Sequence, residues 1–501
     1  MRIVSILLII LTALARPARA QLEIAASSTG SSVQLSHSSL PSMEYYLERS
    51  FDLSTWSRFG NILPGTGNLL NWTDASRNGR LAFYRLTSTP LIAQPLFGLD
   101  FSPYLDAQSP YLNTAISRAQ IEQRMRVLIP YTGWIRTFSM VDGLEVSGQV
   151  AHQLGFKAAL GAWLGPEANS TGMQANQANI NNLIAAGQAG DADLLIVGSE
   201  VLQRGDLSAA NLTAYMNQVR AAVPGIPVTT ADTYNTLVDP GNLSVVNACD
   251  LIFVNIYPFH ESQPIGSALS DFFDHFLSVT VVANGKPVWV SETGWPSDGS
   301  NTGAAVPSSA NAADYFLRFV SWARANNVPF FYFEAFDEGW KIADQPEGPY
   351  WGIWDKNGVL KTGRQTIFDN LFSPADWDAP INGAGIATIT FTSVPSLGST
   401  DPVTGAVNHI GPFDGYVALY IKVSGNWYEK PYANAPLIAV ATDGSWSVNY
   451  TTGGQSDTTA SQIVAYLFPV TYLPPPVLGI PNLPSEFDTK ALARTPPFSR
   501  P

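Results

Sequence analysis

Between residues 97 and 371 short apolar runs alternate with longer segments of helical period, and this alternation limits what the chain can fold into more than any other feature. Eight strand-like runs can be counted, at 97–101, 134–140, 156–164, 194–200, 227–232, 251–258, 287–294 and 330–338. Helical candidates lie between or after them at 113–128, 144–154, 174–189, 208–222, 243–248, 268–283, 310–325 and 364–371, the fifth being the shortest. A connection that includes a helix returns the chain to the start of the next strand, so the strands pair in parallel. Eight βα units over about 275 residues suit a (β/α)₈ TIM barrel, an α/β fold. Asp206 and Ser308 stand where caps for the fourth and seventh helices are needed. Gly155 and Gly190 are natural stops after the second and third.

The barrel region, 96–375, is flanked by segments of different texture. Residues 21–89 carry short aromatic or β-branched runs punctuated by Ser, Thr, Gly and Asn, as a small all-β module does. A second such module, sandwich-like, is expected over 380–473. Residues 474–501 are Pro-rich and without periodicity, and either wrap a domain or are disordered. Residues 1–20 read as a secretory signal peptide, with Arg2, an apolar run to Leu11 and a small-x-small site that predicts cleavage after Ala20. The mature chain is therefore expected to be secreted or periplasmic. No later apolar stretch reaches 18 residues, so no membrane span is expected.

Charge narrows the range of partners. Only 13% of residues are charged, and the formal net charge is −13, which repels nucleic acid and anionic lipid and suits a neutral ligand. Cys249 is the only cysteine, so an intramolecular disulfide and a thiolate metal cluster are both excluded, and a buried small side chain is expected there. Five scattered histidines make no metal cluster, and no phosphate loop, serine elbow or zinc-protease motif occurs. No cofactor is implied, and a monomer is expected.

In a barrel of this type the reactive side chains stand at the C-terminal ends of strands. The fourth run ends Ile196-Val197-Gly198-Ser199-Glu200, and the seventh ends Val290-Ser291-Glu292-Thr293-Gly294-Trp295-Pro296. Either glutamate alone could be a polar strand end bonded to a loop. Together, in matching positions across the barrel mouth, they favour over that reading the carboxylate pair expected of a glycosidase, in which one protonates the leaving oxygen and the other attacks the anomeric carbon or activates water. Tyr104, Phe138, Trp163, Tyr257, Trp295 and Phe336 lie near other strand ends, where aromatic faces can cover sugar rings or simply fill the core. Strand eight adds Glu334, Asp337, Glu338 and Lys341, either a substrate-binding cluster or a solvated loop.

From about Gly98 to Gly363 these segments resemble glycoside hydrolase family 17, the retaining enzymes that act on β-1,3-glucan. Residues 290–297 look like that family's nucleophile segment and residues 196–202 like its acid/base segment. The resemblance implies Glu292 as the nucleophile and Glu200 as the acid/base. Residues 333–341 resemble the segment after the last strand, implying donor-side roles for Glu338 and Lys341 and, by extension, Glu347. Segments 101–104, 136–139, 255–258 and 351–355 are similar to further motifs of bacterial members. One departure stands out: the family usually has Asn before the acid/base, where its amide bonds the substrate's 2-hydroxyl, and here it is Ser199. Weaker activity is expected from that exchange, by the same two-glutamate mechanism.

The implied partner is a β-glucan polysaccharide or oligosaccharide of the laminarin type. Hydrolysis and glucanosyl transfer share one intermediate, so a β-1,3-glucanosyltransferase is the competing enzyme. A non-catalytic glucan-binding protein is the competing reading from another class; Trp427 and Trp446 of the C-terminal module would be glucan contacts if exposed, and packing in that module's core is the favoured reading for both.

Overall fold

The computed structural model describes residues 23–26, 32–39, 43–66, 68–74, 82–90, 95–369, 379–432 and 436–500. The expected signal peptide lies outside the described residues. Eight parallel strands follow one another around a barrel: Leu96–Asp100, Thr132–Arg136, Lys157–Ala162, Leu194–Ser199, Val228–Thr233, Ile252–Asn255, Val288–Glu292 and Phe331–Tyr332. The eighth pairs with the first, and a parallel bridge from Val290 to Phe330 closes the ring. All eight expected strands are present, and the (β/α)₈ class holds.

The helices form where the sequence satisfies their ends. Ser308 accepts a hydrogen bond from the Asn311 N–H, and Gly155 and Gly190 end their helices in the left-handed region. Asp206 is not the cap expected of it. The fourth helix begins at Ala209 with Ser208 as its cap, two residues on, because the Asp206 carboxylate is already taken by Arg204. The third helix starts earlier than its periodicity suggests, at Ser170, where Asn169 accepts from two backbone N–H groups.

Side chains two apart on a strand share a face, and three strands use this to stack polar on apolar inside the barrel. Phe97, Trp134, Phe253, Trp289 and Phe331 plug the interior, with ring centroids 5.2–6.2 Å apart between contacting neighbours. Two positions beyond three of them on their own strands come Arg136, Asn255 and Ser291, at the level where the plug gives way to the barrel mouth. The plug removes water from beneath these groups, so their hydrogen bonds must be made to one another.

The flanking segments are antiparallel. At the N-terminal side Val33–Ser38 pairs with Leu69–Asp74, and Met43–Ser50 with Ser57–Pro64 and Phe83–Pro90, around a core of Val33, Leu35, Tyr45, Leu47 and Trp72. Buried Glu48 ties this sheet to the barrel by pairing with both Arg85 and Arg126. On the C-terminal side Gly415–Val423 pairs with Asn426–Lys430 and Gln462–Pro469. The barrel meets it where the Trp322 indole N–H donates to the Phe413 carbonyl, 2.8 Å. The Pro-rich stretch after 474 wraps this sheet: Leu478–Ile480 pairs with Asn426–Lys430, and Ala493–Arg494 and Phe498–Ser499 pair with Gln462–Pro469. Trp427 and Trp446 are 6% and 3% exposed, so both are core and neither offers a face to glucan. Cys249 is buried.

Candidate active site

A cleft of about 800 Å³ opens at the C-terminal ends of the barrel strands. Strand seven delivers Glu292 to it through a one-residue slip against strand six between Val290 and Glu292. Strand four needs a change of direction. Its pairing with strand five slips between Ile196 and Ser199, Gly198 sits at φ 81° and Glu200 at φ 54°. Two left-handed residues bracketing Ser199 turn Glu200 into the cleft, and a non-glycine in that region costs about 1–3 kcal/mol. The turn is fixed from behind by the Glu200 N–H on the Ala231 carbonyl, 2.8 Å, and by the Leu202 N–H on Asp232, 3.1 Å.

The two glutamates have unlike surroundings. Glu292 is 6% exposed and accepts from three side chains: Arg136 Nη1 at 2.8 Å and Ser199 Oγ at 3.1 Å on Oε1, and the Tyr257 hydroxyl at 2.8 Å on Oε2. Arg136 also reaches Asp100 at 3.0 Å, the Ser291 carbonyl at 2.8 Å and, through Nη2, Ser199 Oγ at 3.1 Å. Its guanidinium is fully buried between the Phe138 ring, 4.5 Å, and the Phe253 ring, 5.5 Å. Such a cation survives only because two carboxylates share it. Glu200 receives one side-chain donor, Asn255 Nδ2, at 2.9 Å on Oε1. Burial, helped by the charge of Glu292, pushes the Glu200 carboxyl up to about 7, against the opposing pull of Asn255 and Arg204. Burial also lifts Asp232, to about 6, against its backbone donors.

A second cluster lines the cleft wall after strand eight. Lys341 bridges Glu334 at 2.5 Å and Glu338 at 2.8 Å, and Ser102 donates to Glu338. Both carboxylates are buried, so this is no solvated loop. Burial opposes the charge on Glu338, but Lys341 and Ser102 outweigh it and hold its carboxyl below the ordinary value.

Of the expected site residues, Ser199, Glu200, Glu292, Tyr104, Phe138, Tyr257, Glu338 and Lys341 all line the cleft, as does Trp163. Trp295 does not. It is 1% exposed, packed on Phe259 and Tyr315, with its N–H on the Val306 carbonyl at 3.0 Å, because the chain turns away from the mouth after Glu292. Glu347 is buried outside the lining, and Phe336 is core, under the Arg124 guanidinium at 3.6 Å. Sequence reasoning passed over Arg136, Asp100, Asn255 and Arg204 as site residues. A signal was there: Asp100 and Arg136 are opposite charges set within apolar runs on adjacent strands, where neither would be tolerated unpaired. Among the described residues no group of three or more His, Cys, Asp or Glu is arranged to hold a metal ion.

Residues 98–352 match the family model described as the BtgE/BtgC glycoside hydrolase domain. Over 249 residues the chain is 31% identical to the glucan 1,3-beta-glucosidase BGL2 of Candida albicans, covering 45% of this chain and 80% of that protein. It is 30% identical to the glucan 1,3-beta-glucosidase of Saccharomyces cerevisiae over 50% of this chain and 85% of that one. The solved glycoside hydrolase family 17 beta-1,3-glucanosyltransferase of Rhizomucor miehei is 28% identical, over 54% of this chain and 96% of its own, at a TM-score of 0.47.

Proposed function

Because the chain belongs to the BtgE/BtgC glycoside hydrolase domain family, we propose that it cleaves β-1,3-glucan by a retaining double displacement, with Glu292 as nucleophile and Glu200 as acid/base. The chain is a glycoside hydrolase, and the kinship expected from residues 196–202 and 290–297 is borne out by the family match. The observation that carries the assignment of roles is the unequal hydrogen bonding of the two carboxylates. Glu292 is pinned by Arg136, Ser199 and Tyr257, which aim it as an attacking group. Glu200, lifted to about 7, holds a proton near neutrality and can give it away.

In the first step a Glu292 oxygen forms a bond to C1 of the sugar while the C1–O glycosidic bond breaks and the Glu200 proton moves to the departing oxygen. In the second, ionised Glu200 takes a proton from the incoming acceptor, whose oxygen attacks C1 and releases Glu292. Lys341 and Glu338 bind hydroxyls on the donor side, and Tyr104, Phe138, Tyr257 and Trp163 offer apolar faces to the sugar rings. Ser199 Oγ already serves Arg136 and Glu292, so a sugar 2-hydroxyl meets a shared hydroxyl instead of a carboxamide.

The acceptor is water or a second glucan. Incubation of the mature protein with reducing-end-labelled laminari-oligosaccharides separates the two: products only shorter than the substrate mean hydrolysis, and longer products early in the course mean glucanosyl transfer. Binding without any change in chain length, with Glu292→Ala indistinguishable from the parent, overturns catalysis and leaves a glucan-binding protein. Export through the segment at 1–20 belongs to the same reading, and among the described residues no helix is long and apolar enough to cross a membrane.

A further inference from the structure

The hydrogen-bond chain behind Glu200 runs across two strands. Ser291, the residue before Glu292, points into the barrel and its Oγ donates to Asn255 Oδ1 at 2.5 Å. With its oxygen so engaged, the amide can turn only its Nδ2 towards Glu200, and it donates to Oε1 at 2.9 Å. Ser291 is fully buried and Asn255 is 1% exposed, so no water competes for either bond. The other Glu200 oxygen, Oε2, has no hydrogen-bond partner among the described residues and belongs to a side chain that lines the cleft.

We propose that Asn255, oriented by Ser291, is the positioning residue that engages Glu200 Oε1 as an acceptor and thereby favours the catalytic proton on Oε2, where it faces the leaving oxygen. The proposal rests on the reading of Glu200 as the acid/base. An amide N–H on Oε1 disfavours a proton on that oxygen, since a hydroxyl oxygen is a poorer acceptor than the carbonyl oxygen it would replace. Were the amide reversed, its carbonyl would instead accept the proton from Oε1–H and hold it away from the substrate. Ser291 favours the orientation seen, because reversal would exchange its 2.5 Å O–H donation to Oδ1 for a weaker N–H donation to Oγ and would turn the amide carbonyl onto a Glu200 oxygen. When Glu200 Oε2–H gives its proton to the glycosidic oxygen as Glu292 bonds to C1, the carboxylate left behind is stabilised by the same N–H.

The charged and titratable groups around Glu200 come from each element packed on it: Glu292 and Asp232 from strands seven and five, Tyr257 beyond strand six, Arg204 on its own loop, and Arg136 through Ser199. Beside them Asn255 is, among the described residues, the one neutral side-chain donor bonded to Glu200, so its removal takes away that bond and leaves the charges in place. Without it the ionised form loses a donor, and the pH above which the acid is lost rises.

The test compares Asn255→Ala and Ser291→Ala with the parent and with Glu200→Ala, on laminari-oligosaccharides and on dinitrophenyl β-laminaribioside, whose leaving group needs no proton. Folding of each variant is followed by thermal melting. For Asn255→Ala we expect kcat/KM to fall roughly 10- to 100-fold on the oligosaccharides, at least tenfold less on the aryl substrate, and the alkaline limb to move up by about one pH unit. Ser291→Ala, the milder variant, should show the same selectivity between leaving groups with a smaller fall. Equal losses on both substrates with the limb unmoved would mean a purely structural role and overturn the proposal. If Glu200→Ala itself lost activity equally on both substrates, the acid/base reading would fail and the proposal with it; leaving-group selectivity in Glu200→Ala but in neither Asn255→Ala nor Ser291→Ala would refute this proposal alone.

Discussion

The ends of strands four and seven present the same functional group in opposite ways. Strand seven slips by one residue against strand six between Val290 and Glu292, which lets the neighbouring Ser291 and Glu292 both face inward without a left-handed residue, and three donors close on the Glu292 carboxylate, one of them a fully buried guanidinium. Strand four slips in register, takes two left-handed residues and delivers Glu200 beyond its last paired residue with one amide donor for company. The difference teaches that the chemistry of a glutamate here is set by what its strand end can bring to it. In the proposed mechanism the carboxylate fixed by three donors is the one that attacks, and the carboxylate turned out on a strained corner and lifted by burial is the one that exchanges protons.

The comparison can be broken most completely at strand seven. Glu292→Ala should lower turnover on laminari-oligosaccharides at least about 10⁴-fold, and added azide should restore product of inverted anomeric configuration, read by proton NMR. Tyr257→Phe removes one donor from Glu292 and leaves Glu200 untouched, so kcat should fall roughly 10²-fold with the alkaline limb of the pH profile in place. At strand four the sharper reading is the pH profile of the parent. An acid raised to about 7 is protonated below that pH, so kcat/KM should fall about tenfold for each unit above it. The smallest effect belongs to Ser199, whose hydroxyl joins the two ends. Ser199→Ala deletes the two hydrogen bonds of that hydroxyl, one from Arg136 and one to Glu292, and should cost roughly fivefold in kcat/KM, since Arg136 still holds Glu292.

Much of this was legible in the sequence. The period of the barrel region gave the strand ends, and a strand end in a parallel barrel is where a carboxylate meets the cleft, so Glu200 and Glu292 could be named before any coordinate. What lies after a strand end could not. Trp295 and Glu347 sit in connections whose path is decided by packing against Phe259, Tyr315 and the loop at Gly299, and no periodicity records that path. Arg136 was hidden by its position inside an apolar run, where only its partnership with Asp100 and Glu292 explains it. The edge strands after 474 are two or three residues long, too short for an alternation to register. Asp206 was a plausible cap in type, but Arg204 two residues before it had the prior claim on its carboxylate.

The central claim is a covalent glycosyl-enzyme on Glu292, and mechanism-based labelling tests it most directly. The protein would be treated with a 2-deoxy-2-fluoro-β-laminaribiosyl fluoride, digested, and the labelled peptide sequenced by mass spectrometry. The account predicts one fluoroglycosyl group, on Glu292, and β-configured sugar as the first product from unlabelled substrate. A label on Glu200, or no label together with an α-configured first product, would contradict it.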